Sequence, residues 1–418
     1  MPPPYEVRPE RLQEIFDEYI KDLVFGDVDP VPPGDKPVVV LLGGQTGAGK
    51  SSAFHGIMDR HGGNIAEIKP DEFRLFHPDL DEIMRNDPHA MLEHTAQAMY
   101  AWSDMTRNYA HAKGYGLIIE NTYSRPEYLL KYAEELSKPV DTTREDGATV
   151  QVHRGFEVES VVVATPSDRS CLDLVGRYLS QPPEKARWSD AEFHDFSFDQ
   201  LPRSVEVLET CADVDRIIVT DRDGVIHYNN ERASDGRWEQ KPQASQVLQE
   251  IRGDGRVPFS HDDARMWLSQ YWQYSKHLLN RDELNAVTAP TMLALHERAD
   301  RVAQVAYAGD ADRLAEHEQW QKVQKVVFMA GERGAPNADL PHHPEEFLHA
   351  DAAEKTQFFT ALRDAGKSSP SLPEDAVEAV RRAQQGAAPP TIRTSPSALP
   401  TASSEHRQGR EKGPDIER

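Results

Sequence analysis

The chain has 418 residues, a formal net charge of −23 and only two cysteines, Cys171 and Cys211. This length is enough for two or more domains, and two cysteines exclude a disulfide framework and a four-cysteine metal site. The negative charge argues against a binder of duplex nucleic acid, because that affinity comes from neutralising phosphates. No secretory signal and no apolar run of about 20 residues is visible, so we expect a cytoplasmic protein that does not enter a membrane.

The first half of the chain alternates predicted helices and strands. Apolar residues at helical spacing predict a helix over 8–25. The first strand is a continuous apolar run, which is typical of a strand buried on both faces. Five strands are predicted, at 37–42, 64–69, 115–120, 158–164 and 217–220. Helices predicted between them, such as 90–113, indicate an α/β fold whose mostly parallel sheet is covered by helices on both faces.

The turn after the first strand fits the G-x-x-x-x-G-K-[ST] pattern of a phosphate-binding P-loop. It is formed by Gly44, Gln45, Thr46, Gly47, Ala48, Gly49, Lys50 and Ser51, followed by Ser52. Backbone N–H groups of such a loop and of the helix after it point at an anion. We expect Lys50 to reach the phosphates of ATP and Ser51 to bind Mg²⁺. The same pattern occurs in kinases, ATPases and nucleotide switches, and the loop alone does not choose between them.

A second short motif follows the fifth strand. Residues 221–224 read Asp-Arg-Asp-Gly and formally match the D-x-x-G of GTP switches, but no N-K-x-D occurs anywhere in the chain. Because Asp-Gly is turn chemistry, we interpret the segment as a hairpin turn leading into an apolar stretch at 225–228.

Strand signals stop after about residue 236. Long runs of helical periodicity, at 261–280 and 288–330, predict a helical C-terminal extension. Its aromatic residues, Trp267, Tyr271, Trp272 and Tyr274, favour packing, and the histidines at 342, 343 and 349 match no standard metal site. The end of the chain has too few large apolar residues for their burial to offset the entropy cost of ordering, so we expect a disordered tail. The expected organisation is an N-terminal helix, a P-loop domain, the extension and the tail, at 1–34, 35–235, 236–366 and 367–418.

The order of motifs resembles the zeta toxins, which are P-loop kinases that phosphorylate UDP-N-acetylglucosamine. The resemblance covers about residues 35–230, and the P-loop is its least specific part. More specific are PDEFRLFHPDLDE at 70–82 and the block that runs from Arg187 to His194 and Asp195. The remaining matches are GYGLIIENT at 114–122, VGRYLS at 175–180 and DRIIVTDRDGVIHY at 215–228. For His194 and Asp195 we expect a packing or capping role.

The resemblance implies a catalytic role for three charged residues besides Lys50. Asp71 aligns with the catalytic base of the family, which takes the proton of an acceptor hydroxyl. Without the resemblance, a helix cap would be the better interpretation of Asp71. Arg177 and Arg187 flank a proline-containing segment and align with arginines that contact the transferring phosphate. The alternative for both is an ordinary surface arginine.

The resemblance also implies the residues that bind the acceptor. Glu120 ends the third predicted strand and could hold Mg²⁺ through water or bind substrate, although a solvated strand end is the alternative. Thr122 aligns with a substrate-binding hydroxyl. Asp104 stands where the family has a substrate-binding glutamate, so the negative charge is kept on a shorter side chain. The alternative interpretation of Asp104 is an exposed helix residue without a role in binding.

We therefore expect an ATP- and Mg²⁺-dependent kinase that phosphorylates a sugar hydroxyl of a sugar nucleotide, with UDP-N-acetylglucosamine as the implied acceptor and an antitoxin as a possible protein partner. Two alternatives remain open. One is a P-loop kinase for another small alcohol, such as an antibiotic, and the other is a nucleotide-gated binding protein without catalysis.

Overall fold

The structure, a computed structural model, describes residues 5–86, 90–143, 148–182, 186–253, 255–342, 351 and 353. Its centre is a six-stranded sheet with the order β2-β3-β1-β6-β7-β8. The first five strands in this order are parallel, and β8 is antiparallel to β7. The bounds are β1 Val38–Gly43, β2 Ala66–Ile68, β3 Leu117–Asn121, β6 Glu157–Ala164, β7 Arg216–Asp221 and β8 Ile226–Glu231.

All five predicted parallel strands are confirmed. They were predictable because each is an apolar run between turn signals. Residues of β1 at positions 39–42 are at most 1% exposed, as expected for the central strand of a sheet covered on both faces. Alternate residues of the strands enter two different apolar clusters, one on each face of the sheet. The mostly parallel α/β architecture predicted from the sequence is therefore present.

Two short strands were not predicted. β4 (Val140–Thr143) and β5 (Thr149–His153) pair as a separate antiparallel hairpin. Most of their residues are exposed or half-buried, so they lack the apolar run that identifies the strands of the main sheet. The hairpin was missed for this reason.

The first helices surround the sheet. The predicted N-terminal helix consists of α1 (Pro9–Ile15), a π-helical turn (Phe16–Ile20) and α2 (Lys21–Phe25), and it packs into the same apolar cluster as the sheet. The predicted helix at 90–113 is divided at Thr95 into α6 (Met91–His94) and α7 (Ala96–Lys113). The remaining helices of this part are α3 Lys50–Arg60, α4 Pro70–Phe73, α5 Leu80–Asn86, α8 Pro126–Leu136, α9 Ser167–Ser180 and α10 Ala191–Thr210.

The last four helices are α11 Ala244–Ile251, α12 His261–Asn280, α13 Ala289–Ala306 and α14 Ala311–Glu332. The helical extension is confirmed, although the predicted run at 288–330 is interrupted at Gly309, which has a φ of +84°. Residues Ala244 and Leu248 of α11 pack with the sheet, whereas α12–α14 form a second apolar core with one face of α9.

The aromatic residues of α12 pack as predicted, because Trp267, Tyr271 and Trp272 lie in this second core. Nearly all of residues 343–418, including the expected tail and two of the histidines considered above, lie outside the described residues. Within the described ranges, no helix is both long and apolar enough to cross a membrane.

Candidate active site

The carboxyl ends of the parallel strands bring the predicted site residues to one edge of the sheet. The P-loop follows β1, Glu120 and Thr122 lie at the end of β3, and Asp71 follows β2. In parallel sheets with helices on both faces, ligands bind at this edge. β3 lies between β1 and β2, so the sheet order places Glu120 between the phosphate loop and Asp71.

The P-loop has the backbone that phosphate binding requires. Gly47 and Gly49 have φ angles of +75° and +83°, which only glycine adopts without strain. Gly49 is also the N-cap of α3, and no side chain caps this helix, so the positive end of the helix dipole faces the loop. Gly44, Gln45 and Ala48 are buried, Thr46 is half-buried, and Ser51 and Ser52 are exposed at the start of α3.

The ammonium group of Lys50 lies inside the loop. It donates to the carbonyl oxygens of Gly44 at 2.9 Å and Gln45 at 3.4 Å, and its Nζ lies 3.3 Å from Oε1 of Glu120. Its side chain is only 11% exposed. A cation held here by backbone carbonyls and one carboxylate can turn towards phosphate oxygens without crossing solvent.

Asp71 is held between two arginines. Its Oδ1 accepts a 3.0 Å hydrogen bond from Nε of Arg74, and its Oδ2 lies 3.8 Å from Nη1 of Arg187. The carboxylate is 62% exposed, so a substrate can reach it. Asp71 is not the helix cap considered above, because the N-cap of α4 is Lys69 and no side chain caps this helix.

Arg74 was not identified from the sequence. It is 7% exposed, and its Nη1 donates to the carbonyl oxygen of Leu92 and to Oγ1 of Thr95, both at 2.7 Å. These bonds fix the guanidinium group, which in turn orients the Asp71 carboxylate. The available signal was its position three residues after Asp71, which places both on one side of a helical turn.

The two predicted lid arginines differ in their surroundings. Arg187 is 18% exposed, and burial lowers its pKa, with the charges of Arg74 and Arg177 acting in the same direction and Asp71 opposing them. Arg177, at the end of α9, is exposed and donates to Oγ of Ser189 at 3.0 Å. Residues 183–185 between them lie outside the described part of the chain. Arg187 therefore lies beside Asp71, whereas Arg177 is bonded to the loop before α10.

The end of β3 is shaped by Tyr123, a second residue that sequence reasoning missed. Its φ of +55° is unusual for a residue with a side chain. The fully buried ring lies where any side chain on Gly43 would be, and its hydroxyl donates to the carbonyl oxygen of Leu41 at 2.7 Å. This anchor fixes the preceding residue, Thr122, whose hydroxyl lies 3.0 Å from Oγ of Ser124.

Asp104 lies on α7 with its side chain 58% exposed and bound to Nη1 of Arg107 at 2.8 Å. The Arg107 guanidinium stacks on the ring of Tyr132, 4.4 Å from its centroid. The contacts described for Asp104 thus connect α7 to α8 rather than to the P-loop.

The segment 221–224 forms the predicted hairpin turn between β7 and β8. The carboxylate of Asp221 accepts from the backbone N–H groups of Asp223 and Val225, at 2.9 and 3.0 Å. The turn lies against the P-loop, because a Cβ on Gly49 would be 3.4 Å from the Cβ of Arg222. It therefore borders the phosphate site.

The residues present fit a magnesium–nucleotide complex. Ser51 is exposed at the N-terminus of α3, and Glu120, 37% exposed, lies beside Lys50. Hydroxyl and carboxylate oxygens are the ligands Mg²⁺ prefers, with phosphate oxygens and water completing the octahedron. Among the described residues, no three His, Cys, Asp or Glu side chains cluster as a metal site of their own.

Comparison with known proteins points to one family. A family model described as Zeta toxin matches residues 21–233, which is half of the chain. Toxin zeta of Enterococcus hirae is 27% identical over 227 residues, which are 53% of this chain and 74% of the relative. Toxin PezT of Streptococcus pneumoniae is also 27% identical, over 57% of this chain and 89% of the relative.

A solved structure from the PezAT chromosomal toxin–antitoxin system of Streptococcus pneumoniae is similar in fold. It aligns with a TM-score of 0.52 and 22% sequence identity, covering 65% of this chain and 98% of its own.

Proposed function

The chain belongs to the zeta toxin family, and we propose that it is an ATP-dependent kinase that phosphorylates a sugar hydroxyl of UDP-N-acetylglucosamine. The observation that carries the proposal is that two ion pairs, Lys50 with Glu120 and Arg187 with Asp71, lie at the same edge of the sheet, where neighbouring strands end. A phosphate-binding loop beside an oriented, solvent-accessible carboxylate is the minimum that phosphoryl transfer to an alcohol needs.

The P-loop is the proposed site of the triphosphate. Its backbone N–H groups and Lys50 bind the phosphate oxygens, and the 3.3 Å contact with Glu120 keeps the ammonium group ready for the γ-phosphate. Magnesium bound with ATP neutralises phosphate charge and would be held by Ser51, with Glu120 nearby.

Asp71 is the proposed general base. Its carboxylate takes the proton of the acceptor hydroxyl while the acceptor oxygen bonds to the γ-phosphorus and the bond between that phosphorus and the β,γ-bridging oxygen breaks, leaving ADP. Arg74 contacts one oxygen of this carboxylate and Arg187 lies near the other, so the two arginines orient it. The cations of Arg187 and Arg177 also stabilise the charge spread over the oxygens of the moving phosphoryl group.

Thr122, Glu120 and Asp104 are proposed to bind the sugar. Thr122 and Glu120 lie on the same strand end, which Tyr123 fixes, so both can reach one ligand. Oδ1 of Asp104 is bonded to Arg107, and the side chain is 58% exposed, so this carboxylate remains accessible to a ligand. The toxin–antitoxin description of the PezAT structure supports a second proposal, that this chain has an antitoxin protein as its partner.

The test is phosphate transfer from γ-labelled ATP. UDP-N-acetylglucosamine, other sugar nucleotides and simple alcohols are offered in parallel, with Lys50→Ala as the inactive control. We expect label in UDP-N-acetylglucosamine together with one ADP for each phosphate transferred. Label in a different alcohol would identify that alcohol as the acceptor in place of UDP-N-acetylglucosamine. ATP binding with no transfer to any acceptor would make the chain a nucleotide-gated binding protein.

A further inference from the structure

The outer side of the P-loop is held by side chains from the region where β6 meets α9. Gln45 is fully buried, and its Nε2 donates to the carbonyl oxygen of Thr165 at 2.8 Å and to Oγ of Ser170 at 3.1 Å. Oγ1 of Thr165 donates to the carbonyl oxygen of Ala48 at 2.6 Å. A side chain on Gly47 would collide with the carbonyl oxygen of Ser170. The shape of the loop therefore depends on the first turns of α9.

The hydrogen bonds continue from Ser170 to α10. Oγ of Ser170 lies 2.7 Å from Nε2 of His194, and Nδ1 of His194 lies 2.7 Å from Oδ1 of Asp195. Burial lowers the pKa of His194, which favours the neutral ring. Since a carboxylate only accepts, the ring proton lies on Nδ1, and Nε2 is an acceptor for the hydroxyl of Ser170. The carbonyl oxygens of Pro166 and Ser167 lie further from the same Oγ, at 3.1 and 3.3 Å, so Nε2 of His194 is its shortest acceptor contact. The Ser170 oxygen then faces Gln45 as an acceptor.

The far end of this chain of bonds lies in the helical extension. Asp195 accepts a 2.5 Å hydrogen bond from Nη2 of Arg298 on α13. The Arg298 side chain is 8% exposed, and its Nε also lies 3.7 Å from Oδ1 of Asp168. Arg301, one turn further along α13, binds Asp168 at 2.6 Å but is 54% exposed. Only Arg298 of these two arginines is bonded to Asp195 in the described contacts.

Each bond in the series fixes the orientation of the next group. Arg298 holds the Asp195 carboxylate, and the carboxylate selects the His194 tautomer. That tautomer presents Nε2 as the nearest acceptor for the Ser170 proton, which leaves the Ser170 oxygen to accept from Gln45. Oε1 of Gln45 has no hydrogen-bond partner among the described residues, so its two N–H groups alone orient the amide. Turning the amide over would place its oxygen against the carbonyl of Thr165, which repels it.

We propose that Arg298 is a positioning residue through which the helical extension holds the P-loop in its phosphate-binding shape, acting on Gln45 by way of Asp195, His194 and Ser170. The inference rests on the proposed function, in which this loop binds ATP. It gives the extension a role in nucleotide binding although the extension lies outside residues 21–233, which match the family model.

The first test compares Arg298→Met with Arg301→Met in the full-length chain. Both changes remove one arginine of α13 from a carboxylate, but only the first breaks the series of bonds. Hydrogen exchange of the amides at 44–51 is measured without nucleotide. We expect roughly tenfold faster exchange in Arg298→Met, within the usual range of coupling between sites, and no change in Arg301→Met. Equal exchange in the two variants overturns the proposal.

The second test uses a milder change, because Arg298→Met could also weaken folding. Ser170→Ala removes one hydroxyl from the middle of the series, and ATP affinity is measured by calorimetry for this variant, for Arg298→Met and for the double variant. We expect each single change to weaken ATP binding about tenfold and the double change to be no worse, since both break one series. Additive losses would show independent structural damage and overturn the proposal.

The two proposals fail in different ways. If the unmodified chain binds no ATP, the proposed function is wrong, while the hydrogen-exchange comparison still decides whether Arg298 positions the loop. If ATP binds and Lys50→Ala weakens it, but Arg298→Met and Ser170→Ala do not, the kinase proposal stands and the positioning role is wrong.

Discussion

The sheet edge and the helical extension place their polar side chains in opposite ways. At the edge, the carboxylates of Asp71 and Glu120 are 62% and 37% exposed, so each keeps a solvent-facing side beside the cations that it contacts. In the extension, His296 and Gln321 are 6% and 4% exposed and bind other groups of the same helices. Nε2 of Gln321 donates to the carbonyl oxygen of His296 and to Oδ1 of Asp300, both at 3.0 Å.

This difference separates binding from stability. A buried polar group that is satisfied inside the core contributes to the packing of one helix against another, and removing its partner costs folding free energy. A polar group left open at a strand end contributes little to folding and is available to a ligand. Changes at the edge should therefore alter rates, and changes in the extension should alter stability, with Arg298 as the proposed connection between the two.

The largest effect is expected for Asp71→Asn. The amide keeps the shape of the side chain but cannot take a proton, so we expect kcat to fall roughly 10²–10⁴-fold while ATP affinity and the melting temperature stay unchanged. Glu72→Gln, next in sequence and also exposed, is the matched control and should have normal kcat. A collapse of ATP affinity in Asp71→Asn would instead make Asp71 part of the magnesium–nucleotide site.

Phe328→Ala tests the other region. The ring is fully buried in the second core, 6.3 Å from the rings of Tyr271 and His296, so its loss should cost about 3–5 kcal/mol of unfolding free energy. Met266→Ala, on an exposed position of α12, should change stability by no more than about 0.5 kcal/mol. Urea unfolding measures both. Well below the melting temperature, kcat of Phe328→Ala should equal that of the unmodified chain, and a parallel fall would contradict the separation.

Arg187→Lys keeps the charge at the sheet edge but removes the planar fork that can bind two oxygens at once. We expect kcat/KM to fall roughly 10–100-fold, the equivalent of about 1.5–3 kcal/mol for a charged hydrogen bond. Arg177→Lys should act in the same direction. Arg85→Lys is the control, because among the described contacts Arg85 donates only to the carbonyl oxygen of Asp81. Normal kcat/KM in Arg187→Lys would make this arginine a surface residue.

The smallest effect concerns acid stability of the extension. Burial lowers the pKa of His296 from 6.5 to about 4, so between these values the unfolded chain binds a proton that the folded chain does not. Stability is therefore lost as the pH falls through this window, by about 2 kcal/mol between pH 7 and pH 5. His296→Gln should remove this loss.

Unfolding free energies of both proteins at pH 7 and pH 5 measure the difference, since all other titrating groups are shared. An identical pH dependence would mean that the pKa of His296 is the same in the folded and the unfolded chain.

Much of the fold was predictable because its signals lie in consecutive residues. The apolar run of β1 requires burial on both faces, and the glycines after it permit the positive φ angles at positions 47 and 49. The turn at 221–224 was predicted for the same reason, since Asp-Gly chemistry acts over four residues. The hairpin of β4 and β5 carries no such run and was not predicted.

The roles of the site residues depend on contacts across long stretches of chain. Arg74 is fixed by Leu92 and Thr95, and the ring of Tyr123 occupies the space above Gly43. These contacts are not visible in the local sequence pattern, because apolar spacing and turn chemistry describe only neighbouring residues.

The sequence by itself determined the sheet, the phosphate loop and the helical character of the extension, since these follow from backbone preferences and from the burial of apolar runs. Only the tertiary structure decided which charged groups meet. Asp71 and Arg187 approach because the short helix after β2 and the loop before α10 converge. Arg298 reaches Asp195 because α13 packs against α9 and α10. Charged side chains have no periodic pattern that records their partners, so their pairing is known only when the helices and strands are in place.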